Sequence, residues 1–224
     1  MNVLVIVPHM DDEVLGAGGT ICKHVTSGDR VKVLFLANRV YGHQFDQGAS
    51  NREESHALEA KSILNYQEIE FARLPDEQLR EHFVELLTAI EKAIAGFAPE
   101  VVYLNHRNDP HQDHKAVFEA AHISLRTISR HLPNRLQRIA CYEVPSSTDQ
   151  APPFTEYAFL PNYYVDITPY LEKKKQAMAC YETESRPFPH ARSAEGIAAL
   201  AKVRGMASNL SAAEAFVIVR EEWP

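Results

Sequence analysis

The sequence predicts an α/β fold: a Rossmann-like, doubly wound, mostly parallel sheet with helices on both faces and the functional site at the carboxyl ends of the strands. Three observations carry this. Residues 3–7 (VLVIV), 31–36 and 101–104 are continuous apolar, largely β-branched runs, the pattern of strands buried on both faces. Helical spacing follows them, and the strand–helix alternation repeats about four times. Polar clusters sit where strands end, which is where open α/β sheets bind ligands.

The elements follow in order. After the first strand, residues 13–25 read as a helix entered through the small residues Gly16-Ala17-Gly18-Gly19. A dinucleotide fingerprint would need glycine at position 21, which is Ile21, so the small residues are expected to let this helix pack closely instead. Ser50 or Asn51 is the expected cap of a helix over 52–64. A short strand is expected at 69–71. A long amphipathic helix over 76–95 would align Leu79, Phe83, Leu86, Leu87, Ile90 and Ile94. Beyond the strand at 101–104, a helix is expected over 114–129 and a strand over 139–144. The segment 145–154 (PSSTDQAPPF) reads as a polar loop inside the domain. A strand at 164–167, helices at 169–181 and 194–206, and a last strand at 215–219 complete a single domain over residues 1–224.

The bulk composition narrows the function. The 224 residues suffice for one domain with a real core. The formal net charge of −7 argues against nucleic-acid or acidic-membrane binding, which needs a basic surface. Cys22, Cys141 and Cys180 are scattered, without a CxxC, so neither a disulfide framework nor a thiolate zinc knuckle is indicated. The apolar run at 3–7 is far too short for a signal-peptide core or a membrane span, so a cytoplasmic protein is expected.

Chemistry gathers at the strand ends. The first strand runs into Pro8-His9-Met10-Asp11-Asp12-Glu13, the second into Ala37-Asn38-Arg39, and the strand at 101–104 into NHRNDPHQDH, ending at His114. Crowded acids at the end of a buried strand are costly unless solvated or neutralised by a cation. His9 and Asp12 with His114 make two histidines and one carboxylate, the donor set of a catalytic zinc site with one open position. Asp11 would stand beside it as a general base. His111 could stabilise an oxyanion or protonate a leaving amine. Asp113 could orient His111 or His114, or simply cap the helix starting at His114. Taken singly, each motif reads as a wet helix start, where the helix dipole favours acids. Their conjunction at two strand ends favours a site. Glu13 reads equally as support for it or as helix N-terminus.

These residues resemble the LmbE-like, or PIG-L, family of zinc-dependent N-deacetylases, in which an (A/P)HPDDE loop follows the first strand and an HxDH motif a later one. PHMDDE and HQDH stand at the matching places, Arg52-Glu53 falls at the family's Arg-Glu pair, and Ala213-Glu214-Ala215-Phe216 resembles the approach to its last strand. The resemblance implies His9, Asp12 and His114 as ligands of one Zn2+ per chain and Asp11 as base. It implies His111 as electrostatic or acid catalyst, Asp113 in support, and Arg52 as a substrate contact. Met10 departs from the pattern, since the family usually has proline there. The implied reaction is hydrolysis of an acetamide on an amino sugar, with an N-acetylated sugar, glycoconjugate or nucleotide sugar as partner.

Further specificity residues are expected around the site. Asn38 ends the second strand, and the segment 184–192 (ESRPFPHAR) could place Arg186, His190 or Arg192 at a rim suited to a phosphate-bearing substrate. Tyr163-Tyr164 could stack on a sugar. The competing readings are a non-catalytic sugar- or nucleotide-binding protein, which should have lost a ligand or the base, and a phosphoesterase, which usually needs a second metal. A homo-oligomer is left open.

Overall fold

A computed structural model describes residues 1–38, 40–41, 43–129 and 136–223, with the backbone alone at 40, 41, 44 and 45. Its strands are β1 (Asn2–Val7), β2 (Arg30–Ala37), β3 (Val40–Tyr41), β4 (Gln44–Phe45), β5 (Glu68–Leu74), β6 (Val101–Asn105), β7 (Arg138–Tyr142), β8 (Tyr163–Asp166) and β9 (Ala213–Glu221). Its α-helices are α1 (Asp12–Thr26), α2 (Gln47–Leu64), α3 (Phe83–Phe97), α4 (Gln112–Ser124), α5 (Leu171–Cys180) and α6 (Ala194–Met206). Seven strands form one sheet in the order β5-β2-β1-β6-β7-β9-β8, and β3 and β4 pair as a separate hairpin. The first five are parallel, while β9 runs antiparallel to both β7 and β8.

The alternation along β1 shows why its sequence is apolar throughout. Val3, Val5 and Val7 face one core with Val14 and Leu15 of α1, Ala57 and Leu64 of α2, and Met178 of α5. Leu4 and Ile6 face the other core with Leu86 and Ile90 of α3 and Val117 of α4. Both faces are covered, as a parallel sheet requires. The chain leaves β1 for β2 on one side and later reaches β6 on the other. The crevice between the carboxyl ends of β1 and β6 is therefore the switch point where such folds bind ligands.

The small residues of α1 allow a close approach. A Cβ built on Gly16 would come within 2.1 Å of the Tyr142 ring, and one on Gly19 within 2.6 Å of Ile167. Deeper in α1, the Gly19 and Thr20 amides donate to the buried Glu214 carboxylate at 2.9 and 2.7 Å. Lys174 Nζ donates to Leu15 O at 2.8 Å and to Glu214 Oε1 at 2.6 Å. An ion pair is thus inserted beside the ladder of α1 and ties it to α5 and β9.

Several boundaries differ from expectation. Helix α2 begins at Gln47, capped by Asp46, whose Oδ1 accepts from the Gly48 and Ala49 amides, and not at Ser50 or Asn51. The expected helix at 76–95 begins only at Phe83. Residues 76–82 are turns that carry Asp76 into the site, and Leu79 mimics the helical spacing because it is itself buried. Helix α4 starts at Gln112 and ends at Ser124. Arg39 lies outside the described residues. No helix among the described residues is long and apolar enough to cross a membrane.

Candidate metal and catalytic site

The loop after β1 and the first turn of α4 bring two histidines together. His9 Nδ1 lies 3.3 Å from His114 Nε2. Asp12 Oδ2 lies 3.5 Å from that nitrogen of His9 and 3.3 Å from that of His114. All three residues are buried. A tetrahedral cation with ligands at about 2.0–2.1 Å spaces its donors about 3.3–3.4 Å apart, so this triangle fits one divalent metal. Asp12 is held in place by accepting the His9 amide at 3.0 Å.

Each histidine turns its far nitrogen to a carboxylate. His9 Nε2 lies 3.0 Å from Asp76 Oδ1 and 3.2 Å from Asp113 Oδ2. His114 Nδ1 lies 3.1 Å from Asp109 Oδ2. A carboxylate on the far nitrogen fixes the tautomer and leaves the near lone pair for a cation. The grouping of His9, Asp76 and Asp113, whose donor-type atoms also lie within 4.8 Å of one another, is explained in the same way.

Those carboxylates are themselves anchored. Asp113 accepts from the Glu77 and Leu79 amides at 2.7 and 3.2 Å. Asp109 accepts from Thr148 Oγ1 at 2.8 Å, from Ser147 Oγ at 2.5 Å and from the His111 amide at 3.0 Å. The loop at 145–154 therefore braces the site. Asp113 corrects an expectation: it supports His9, not His111 or His114, and it does not cap α4. The cap is His111, whose Nδ1 accepts from the Asp113 amide at 3.2 Å. That bond puts the proton of the neutral His111 ring on Nε2. The His111 ring stands 4.8 Å from His9 and 5.0 Å from His114, centroid to centroid.

The electrostatics show what the cluster demands. Burial alone would lower His9, yet hydrogen bonds to Asp113, Asp12 and Asp76 hold its pKa well above the ordinary value. Burial opposes protonation of His114 too, but the charge of Asp12 and the bond to Asp109 raise it to about 9. Burial works against Asp12 ionising, and His114 and His9 overcome it, so its pKa lies well below the usual range. Burial, then the charges of His9 and His114, push His111 down to about 4. Four carboxylates lie against two imidazoles, so the metal-free cluster pulls in protons wherever it can.

Asp11 is placed differently. It precedes α1 with φ of 117°, a left-handed conformation that non-glycine residues seldom adopt. Its side chain makes no capping bond to α1 and instead accepts from Arg192 Nη1 at 2.8 Å. Glu13 lies behind, donated to by the Asp11 amide at 3.2 Å and by Tyr181 OH at 2.5 Å. Burial raises its pKa to about 8, the Asp11 charge adding to the effect and the Tyr181 bond opposing it.

The remaining expected residues stand outside this buried cluster. Arg52 is exposed on α2. Asn38 Nδ2 donates to Arg73 O at 3.1 Å. His190 is exposed and its Nδ1 accepts from the Arg192 amide at 3.1 Å. Arg186 donates to the carbonyls of Thr183 and Ser185 within its own loop. Tyr163 accepts from Arg138 at the amino end of β7, the edge of the sheet opposite the site, so it cannot stack on a ligand there. Sequence reasoning missed Asp76 and Asp109 as partners of the histidines. Pro75 gave no warning, because it precedes the expected helix and is equally compatible with a helix start.

Comparison with known proteins gives the family and the fold. The family model described as PIG-L, GlcNAc-PI de-N-acetylase, matches residues 4–124. A diacetylchitobiose deacetylase of Thermococcus kodakarensis is 29% identical over 194 residues, 82% of this chain and 70% of that protein. The structure of the N,N'-diacetylchitobiose deacetylase from Pyrococcus horikoshii aligns with a TM-score of 0.74 at 24% identity, covering 98% of this chain and 84% of that one. The 4-carboxy-2-hydroxymuconate hydratase GalB of Pseudomonas putida aligns with a TM-score of 0.75 at 21% identity, over 100% and 98% of the two chains. The last two likenesses speak for the fold.

Proposed function

The chain belongs to the PIG-L family, and from that premise we propose that it is a zinc-dependent hydrolase removing the acetyl group from an N-acetylated amino sugar or sugar conjugate. The observation that carries the reading is the triangle of His9 Nδ1, His114 Nε2 and Asp12 Oδ2, with Asp11 the residue next to Asp12 in the chain.

His9, Asp12 and His114 would hold the metal, one per chain. Two nitrogens and one oxygen suit zinc and leave a position open. When bound, the ion supplies Lewis acidity and makes a nucleophile available at neutral pH. Asp11 accepts the proton of the attacking water, a role open to a carboxylate not spent on capping α1. His111, with its proton fixed on Nε2, donates a hydrogen bond to the oxyanion that forms as the amide carbon becomes tetrahedral. Asp113 and Asp76 hold His9, and Asp109 holds His114. The amine leaves with a proton and acetate is the other product. Arg186 and Arg192 already serve loop carbonyls and carboxylates, which favours a neutral N-acetyl sugar over a nucleotide sugar.

The test is metal analysis followed by acetate release from N-acetylglucosamine, N,N'-diacetylchitobiose and a UDP-linked N-acetyl sugar. We expect about one zinc per chain, acetate from at least one neutral sugar, and an Asp11→Asn protein that keeps its metal and loses about 10²–10⁴ in rate. Full activity in Asp11→Asn, or protein that never takes up metal, would refute the mechanism.

A further inference from the structure

We propose that Arg192 is the positioning residue for Asp11, an inference that rests on Asp11 being the base. An aspartate in the position before a helix normally turns its carboxylate onto the open amides of the first turn. Asp11 occupies that position and makes no such bond. Its carboxylate is turned instead to Arg192, 181 residues further along the chain, with Nη1 2.8 Å from Oδ2. The same Nη1 donates to Glu184, so one guanidinium lies between two buried carboxylates. Its Nε donates to Ser146 Oγ at 2.7 Å. The fork is fixed at both ends: by Ser146, next to the residues that hold Asp109, and by the two acids.

Two physical consequences follow. The left-handed backbone at Asp11 persists only where its surroundings enforce it, and Arg192 supplies that constraint from outside α1. The guanidinium is also engaged by acids and a hydroxyl, which makes it a poor anchor for a phosphate or carboxylate on the substrate. Arg192 therefore acts through Asp11. Lysine keeps the charge but loses the fork, so Arg192→Lys should fall between wild type and Arg192→Ala.

The experiment compares wild type, Arg192→Ala and Arg192→Lys, each loaded with zinc. In Arg192→Ala we expect kcat to fall about 10²-fold, as a misplaced reacting group typically costs, with KM within about twofold and zinc content unchanged. Guanidinium added to the assay should restore part of kcat in Arg192→Ala and none in Asp11→Asn. Crystal structures should show the Asp11 carboxylate swung onto the first turn of α1 in Arg192→Ala while His9, Asp12 and His114 stay in place. That readout needs no turnover, so wild-type protein that hydrolyses none of the sugars would refute the proposed function while the position of Asp11 still decides this inference. Unchanged kcat, an effect confined to KM, or an Asp11 carboxylate that does not move would each overturn it. If Arg192→Ala does not fold, Arg192→Lys decides on the same three measurements.

Discussion

Two buried charge clusters in this molecule use the same residue types to different ends. The Lys174–Glu214 pair is balanced within itself: the ammonium has a carboxylate and a carbonyl, and the carboxylate has the ammonium and two helix amides. The cluster at the ends of β1 and β6 is not balanced. Four carboxylates, Asp12, Asp76, Asp109 and Asp113, lie against two imidazoles, His9 and His114, beside the neutral amides and hydroxyls that anchor them. Buried charge that closes on itself is structural and gives little net stability. Buried charge with an excess of one sign is a place waiting for a ligand of the other.

Breaking each cluster should separate the two. The largest effect is expected from His114→Ala, which should abolish zinc binding and acetate release and, by leaving the buried Asp12 and Asp109 without their imidazole, also lower the metal-free melting temperature. Metal analysis and a thermal melt read both quantities, and retained stoichiometric zinc would undo the contrast. Lys174→Ala should cost about 3–5 kcal/mol by stranding a buried carboxylate, measured by denaturant unfolding, but leave the zinc affinity of the folded protein unchanged. Replacing both partners, as Lys174→Met with Glu214→Leu, should recover most of that loss; a double variant no better than the single one would mean the pair is more than structural.

Smaller effects sharpen the comparison. Asp109→Asn should weaken zinc about 10–100-fold, the usual consequence of losing a carboxylate behind a ligating histidine, as read by competition with a chelator. An unchanged affinity would show that the His114 tautomer is fixed by other means. The gentlest probe is pH. His114, raised to about 9 in the metal-free protein, adds stability that is whole below an unfolded histidine's pKa of about 6.5 and is lost as pH rises through about 9. Glu13, raised to about 8, acts in the same direction, because only the folded acid keeps its proton in that range. The melting temperature of metal-free protein should therefore fall from pH 6 to pH 9, and its gap from the zinc-loaded form should widen. A flat metal-free profile would show that protons do not stand in for the cation.

The sheet was legible because β1, β2 and β6 carry short apolar runs between polar segments. His9 and Asp12 stood out in the loop right after β1, and His114 at the end of the longer polar stretch after β6. Asp76 was hidden because Leu79 and Phe83 continue a helical spacing through what is in fact a turn, and the spacing records burial whichever structure causes it. Asp113 was read as serving its sequence neighbours, whereas the start of α4 turns it toward His9, a contact across 104 residues. Arg192 was legible only as a charge in a proline-containing segment. Nothing local shows that it folds back onto Asp11, since that contact depends on the packing of a segment far along the chain. Lys174 read as an ordinary helix residue, and Glu214 only as part of the approach to the last strand, for the same reason.

The 3.3 Å approach of His9 to His114 has a consequence for the chain as a polymer. The two residues are 105 positions apart, so a metal held between them cross-links the segments that follow the neighbouring strands β1 and β6. For a covalent link closing about 100 residues, the chain-entropy model assigns about 4.7 kcal/mol of restraint on the unfolded ensemble. A coordinate link that does not survive unfolding acts instead by mass action, holding the folded chain shut in proportion to the free metal around it. The same ion that would activate a water molecule would then serve as a reversible staple, and metal supply would set how long the folded chain lasts as well as how fast it works.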